Sequence, residues 1–304
     1  FIEDVWSRVE EHLADEQEKR YWNSANVNPY GPERELTVAI EKLIEHGRPE
    51  AAVLCVSCMS RGKGGFDVKL AEKALVAVLE MPDCHSRLDQ HWAVEVIKTL
   101  QESPDADPDA LFRIEWGFLP LLDEYSSGSP VTLENRLNSD PQFFAEIVSL
   151  VFRPKGESQP DEEIAESRKA LAQTAYKLLT TWKSCPGRQA DGTIDASLFS
   201  DWYSEVMRLT EATGHQEVAE RQLAHVFAYA PKDPDGLWIH SVVAAVLNAR
   251  DASKMRREFI NEIYNQRGVF SFSAGEEEKK LAGLNRERAD ALDKAGFTRL
   301  ATAM

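Results

Sequence analysis

The stretch "ELTVAIEKLIEHGRPEAAVLCVSCMS", residues 35–60, decides how the rest of the chain is read. Leu36, Ile40, Leu43 and Ile44 recur at the three-to-four-residue spacing that places side chains on one face of a helix. Gly47 follows them, and glycine most readily takes the left-handed conformation that closes a helix. Pro49 then stands where a new helix starts, a position at which its missing amide hydrogen is not needed. A second apolar face continues until Gly62, Gly64 and Gly65. Helices joined by so short a turn pack antiparallel, so the stretch predicts a helical hairpin.

Working outward, the same grammar repeats. "VKLAEKALVAVLE" follows Asp67 and is stopped by Pro82, and "RLDQHWAVEVIKTLQES" is stopped by Pro104. Asp107 and Pro108 open "DALFRIEWGFLPLLDEY", in which Pro120 must kink or end the helix. After "SSGSP" comes "VTLENRLN", and then Asp140 and Pro141 supply an N-cap and a first-turn proline for "QFFAEIVSLVF". The hydrophilic "RPKGESQPDEE" is the best internal boundary, which predicts an N-terminal helical-hairpin half over 1–153, a linker or loop over 154–160 and a C-terminal helical half over 161–304. "IAESRKALAQTAYKLLTTWK" is a long helix, and Asp191-Gly192 within "SCPGRQADGTID" is a turn signal. The last third alternates helical segments with the loop "PKDPDG" and ends in "GEEEKKLAGLNRERADALDKAG", charged over most of its surface. The count is roughly 13 helices without a fixed repeat length. The fold predicted is all-α, an irregular α-solenoid of stacked helical hairpins of HEAT- or TPR-like character, with a compact helical bundle in two halves as the second choice.

Composition narrows the functional classes. The formal net charge is −16, a field that repels nucleic acid and anionic membrane, so the expected partner is a protein or another domain of the same chain. Apolar runs such as "AAVLCV" fall far short of the roughly 20 residues that span a bilayer, and no secretory leader is evident. The chain starts "FIEDVWSRVEEHL" without methionine, which reads as a fragment. Four cysteines are too few for a disulfide framework and suit a reducing cytoplasm.

Each candidate for chemistry has a structural explanation beside it. Cys55 and Cys58 have CxxC spacing and, with Cys84, His85 and His91, could make up a zinc set, but they sit within an apolar helix and are expected to be buried and unreactive. "SRGKGG" departs from a P-loop, because Ser57 replaces the first glycine and Gly64 follows the lysine. No cofactor or metal is expected. Lys254, Arg256, Arg257 and Arg267 form the candidate contact for an anion or partner. Glu276, Glu277 and Glu278 suit the first turn of a helix. His215, His225 and His240 lack partners at catalytic spacing, and His225 reads as a satisfied core residue. Glu115, Asp123 and Glu124 read as a solvated face. In an alternative, Glu115 and Asp123, or the arginine cluster, would serve an all-helical hydrolase of a nucleotide or phosphoester. The seven tryptophans, spread along the chain, read as wedges between helices.

Several phrases together carry a resemblance: "RYW" at 20–22, "IEWGFLPLL" at 114–122, "SDPQFF" at 139–144, "PGRQADGTID" at 186–195, "DGLW" at 235–238 and "NQRGV" at 265–269. They resemble the C-terminal helical-repeat region of large multidomain bacterial proteins, some of which join it to an NTPase or effector and are linked to phage defence. The resemblance implies a sensor, scaffold or oligomerisation module and transfers no catalytic residue. The expected function is accordingly a non-catalytic helical scaffold or interaction module.

Overall fold

The computed structural model describes residues 11–61, 65–81, 87–122, 128–156, 166–189, 191–266 and 275–304. The described residues form fifteen α-helices, one 3₁₀ turn and no β-strand. In chain order the helices are α1 (Asp15–Ser24), α2 (Glu33–Glu45), α3 (Pro49–Arg61), α4 (Val68–Leu79), α5 (Gln90–Glu102), α6 (Pro108–Phe118), α7 (Val131–Ser139) and α8 (Pro141–Val151), followed by α9 (Glu166–Thr181), α10 (Ala196–Ala212), α11 (Gln216–Phe227), α12 (Ser241–Asn248), α13 (Ser253–Asn265), α14 (Glu276–Lys294) and α15 (Thr298–Ala303). Periodicity passes over two of them, α1 and α15, for a physical reason. Each buries a single side chain, Trp22 and Leu300 respectively, so neither has an apolar face to detect.

The predicted hairpin is present as α2 and α3. Gly47 adopts φ 71°. Its N–H donates to the carbonyl of Ile44 at 3.1 Å, and the Arg48 N–H donates to that of Leu43 at 2.7 Å. This pair of bonds is the Schellman closure. Starts are as regular as ends. Asp67, Asp89, Asp107, Asp140 and Asp195 each accept a hydrogen bond from a first-turn amide of the helix that follows. Pro108 and Pro141 occupy the first turns of α6 and α8, and Pro120 lies in the 3₁₀ turn Leu119–Leu121 that ends α6.

The chain forms two compact units, Phe1–Leu133 and Glu134–Met304. In the first, α3 packs against α2, α4 and α5, and α4 also meets α2, α5 and α6, so α2, α3 and α4 each touch the next helix and the one after. Between them lies one core that includes Ile40, Leu43, Val53, Leu75, Ile97, Leu100, Ile114 and Phe118. Stacked hairpins produce this pattern. In the second unit α8 packs on α9 and α10, α11 on α10 and α13, and α15 on α12, α13 and α14. Phe144, Trp182 and Trp202 meet there with ring centroids 5.5–6.3 Å apart, as wedges between helices.

The division between units falls at Leu133/Glu134, inside α7, rather than over 154–160. The described part of that polar stretch is tied to the turn between α10 and α11. Lys155 N–H donates to the Gly214 carbonyl at 3.0 Å, and a Cβ on Gly214 would lie 3.3 Å from Pro154. Residues 157–165 lie outside the described residues. No helix among the described residues is long and apolar enough to cross a membrane.

Candidate functional site

The carboxylates and imidazoles that the fold buries among the described residues serve helix ends. Glu72, on α4, accepts from the backbone N–H of Asp107 at 2.6 Å and from Lys69 at 2.8 Å, fixing the entry to α6. Glu115, on α6, is fully buried and not on a solvated face as its polarity suggested. Its Oε1 accepts from Gln101 Nε2 at 2.7 Å and Thr132 N–H at 3.0 Å, and its Oε2 from Leu133 N–H at 2.9 Å. These two amides belong to the first turn of α7. The residue before that helix is Pro130, which has no side-chain acceptor, so the carboxylate of another helix supplies the cap. Burial pushes Glu115 above the usual carboxylate range, against the opposing pull of these hydrogen bonds.

In the second unit, His215 Nε2 contacts the Phe152 carbonyl at 3.1 Å and its Nδ1 the Thr213 hydroxyl at 3.0 Å. Asp233 accepts from the amides of Asp235 at 2.9 Å and Ser241 at 2.6 Å, closing "PKDPDG" onto the start of α12. Burial would raise the Asp233 carboxyl, but the bonds from Ser241 and Asp235 outweigh it and hold the group below its ordinary value. His240 accepts from Val242 N–H at 3.4 Å at the same helix start.

The cationic cluster does not converge on one site. Lys254 Nζ lies 2.9 Å from Glu217 Oε1, while Lys155 holds Glu217 Oε2 at 3.1 Å. Arg256 donates to the carbonyls of Leu247 and Ala249 at 2.7 and 2.6 Å, and so closes the C-terminus of α12. Arg257 is exposed beside Glu258. Lys254 and Arg257 share a groove of about 260 Å³ with Glu217, Glu220 and Glu258, so carboxylates are interleaved with the cations. Arg267 lies outside the described residues, as do Gly62, Lys63, Gly64, Cys84, His85, Asp123 and Glu124. Cys55 and Cys58 are buried free thiols, with burial pushing Cys55 up to about 12, and no metal-binding cluster occurs among the described residues.

Two features on the second unit escaped the sequence reading. First, His225 is neither isolated nor fully satisfied. Its Nδ1 lies 2.9 Å from Glu262 Oε2, Tyr229 donates to Glu262 Oε1 at 3.2 Å, and its Nε2 is covered with no hydrogen-bond partner. The pair sits on α11 and α13 in a polar groove of about 230 Å³ that also holds Arg221 and Asn261. Nothing in the spacing of one histidine and one glutamate on separate helices announces such a pair.

Second, a pocket of about 570 Å³ opens between the end of α11, the loop after it, α13 and α14. Phe227, Ile239, Ile260, Ile263, Leu281 and Leu284 give it apolar walls, among which Lys232, Gln266, Asn285 and Arg288 are set. Trp238 and Arg288 face each other, with the guanidinium 4.7 Å from the ring centroid. The Trp238 indole N–H and Asn285 Oδ1 are closed off from solvent and have no partner, although native proteins rarely leave such atoms unmet. A sequence signal for this pocket did exist. Leu281, Leu284, Asn285 and Arg288 recur at helical spacing along the otherwise charged α14.

The chain matches no protein-family model, no curated protein and no solved structure. The class is therefore defined by the residues themselves: a protein of two compact units, all-helical among the described residues, with a cation-bearing pocket on the second.

Proposed function

We propose that the chain is a non-catalytic helical interaction module that binds a protein partner in the cytoplasm. One observation carries this reading. Glu72, Glu115, His215, Asp233 and His240, the buried carboxylates and imidazoles among the described residues, all hold helix termini or the segments leading into them. Their chemistry is directed at keeping hairpins in register, which is what a scaffold requires. Buried, unpaired Cys55, Cys58 and Cys185 suit a reducing compartment. Large exposed apolar residues on the second unit away from the pocket, Tyr176 and Leu198, offer contact area to a partner.

The test is capture with the tagged chain from cells, identification by mass spectrometry and reciprocal capture with the identified partner as bait. A complex that survives gel filtration in defined stoichiometry supports the reading. The same capture with and without phage challenge tests the further expectation, a sensor in phage defence, which follows from the resemblance alone. The His225–Glu262 pair favours one rival, a hydrolase of a nucleotide or phosphoester. Turnover of either substrate by the purified chain, abolished by His225→Gln, would replace the module with that enzyme.

A further inference from the structure

The pocket at α11, α13 and α14 has a charge character opposite to that of the chain around it. The protein carries a formal charge of −16, yet the charged side chains lining this pocket are Lys232 and Arg288, with no aspartate or glutamate among the described lining residues. Arg288 makes no ion pair with any described residue, and its one ring contact, with Trp238, holds it at the wall without neutralising it. Lys232 is exposed and likewise makes no ion pair among the described residues. The other charged grooves on this unit contrast with it. The one at Lys254 and the one at His225 both interleave carboxylates with cations.

The remaining lining is apolar apart from Tyr264, Gln266 and Asn285, and the volume falls within the range of about 300–1,000 Å³ typical of small-ligand sites. Polar specificity in such sites comes from few groups, and here the charged ones are Arg288 and Lys232. We infer that this pocket binds a small amphipathic carboxylate, its apolar body against Ile260, Ile263, Leu281 and Leu284 and its head group paired with Arg288 and Lys232. The inference rests on the pocket and not on the protein partner, so either can fail without the other.

The test is calorimetric titration of the whole chain with three probes that share one body, decanoate, decanol and decylamine. Decanoate is expected to saturate a single site, with decanol about tenfold weaker and decylamine not bound. Arg288→Ala, at a half-exposed position that leaves the core untouched, is expected to weaken decanoate about tenfold and leave decanol unchanged. Thermal melting of the variant checks that the fold is intact, and Lys232→Ala gives a second, independent loss of charge. Equal affinity for the three head groups, no saturable binding of decanoate, or decanoate affinity indifferent to both substitutions would each overturn the assignment. A peptide ending in leucine that bound more tightly than decanoate would also overturn it, because the pocket would then belong to a polypeptide terminus. Partner capture by the Arg288→Ala chain reports separately on the module.

Discussion

Replacing Glu115 tests the central structural claim, that a carboxylate on one helix caps another. In Glu115→Ala the amide of Leu133 loses its acceptor in a buried setting and that of Thr132 in a half-buried one, and Gln101 loses one of its two partners. An orphaned buried amide costs about 1–3 kcal/mol, and the vacated side-chain volume adds to it, so a loss of about 3–5 kcal/mol is expected. Glu115→Gln removes the buried charge but turns an NH₂ group toward one of the two amides, so its expected cost is smaller, about 1–2 kcal/mol.

The pH response separates this site from an ordinary ion pair. Burial raises Glu115, so the folded state holds its proton more tightly than the unfolded chain does. Stability from this group therefore falls as pH rises from the ordinary carboxylate value toward the raised one, and it is not lost on mild acidification. With two compact units, a single melting temperature would blur the effect. Hydrogen exchange at the Thr132 and Leu133 amides reads it directly. Unchanged protection of both amides in Glu115→Ala, with stability within about 0.5 kcal/mol of the native chain, would refute the capping role.

Other perturbations follow from equally local geometry. A Cβ at Gly117 would run into the Leu79 side chain between α6 and α4, so Gly117→Ala should lose about 1–3 kcal/mol in chemical denaturation despite its better helix propensity. Glu217, held by hydrogen bonds from Lys254 and Lys155, is lowered to about 2; carboxyl NMR should show it titrating there, and Lys254→Ala should move the midpoint up toward 4.5. The sign follows from the lowered value: Glu217 adds stability above the ordinary carboxylate range and loses it as pH falls from about 4.5 to about 2, the more weakly at high salt because all three groups are exposed. Burial pushes Cys55 up to about 12, so alkylation of its thiol should be negligible at neutral pH and appear only on unfolding.

Helices were legible wherever one face is apolar and the ends carry chemical punctuation. Asp107 with Pro108, Asp140 with Pro141, Gly47 and Asp191-Gly192 all act locally, within a few residues, and all appear as expected. The Asp191 carboxylate, for example, accepts from both the amide and the hydroxyl of Thr193, two residues on. What the spacing of residues does not reveal is pairing between helices. Glu115 looked like a surface acid because its partners lie on α5 and in the first turn of α7, and the absence of an acceptor at Pro130 was the only clue to its task.

The same reasoning explains why the polar constellations of this fold divide as they do. A buried carboxylate or imidazole is tolerated where it meets backbone groups that the helix itself leaves unpaired, since both sides then avoid a desolvation cost. Glu72, Glu115, His215 and Asp233 satisfy that condition, and their polarity needs no functional explanation. Trp238 Nε1 and Asn285 Oδ1 do not satisfy it, and they lie together with an unneutralised arginine in the walls of one apolar pocket. On the second unit the hydrogen-bonding capacity that the fold leaves unused includes Trp238 and Asn285 at the pocket beside α14, His225 Nε2 in the polar groove and Trp202 Nε1, whereas the cations at the start of α13, Lys254 and Arg256, are already engaged by Glu217 and by the carbonyls that end α12.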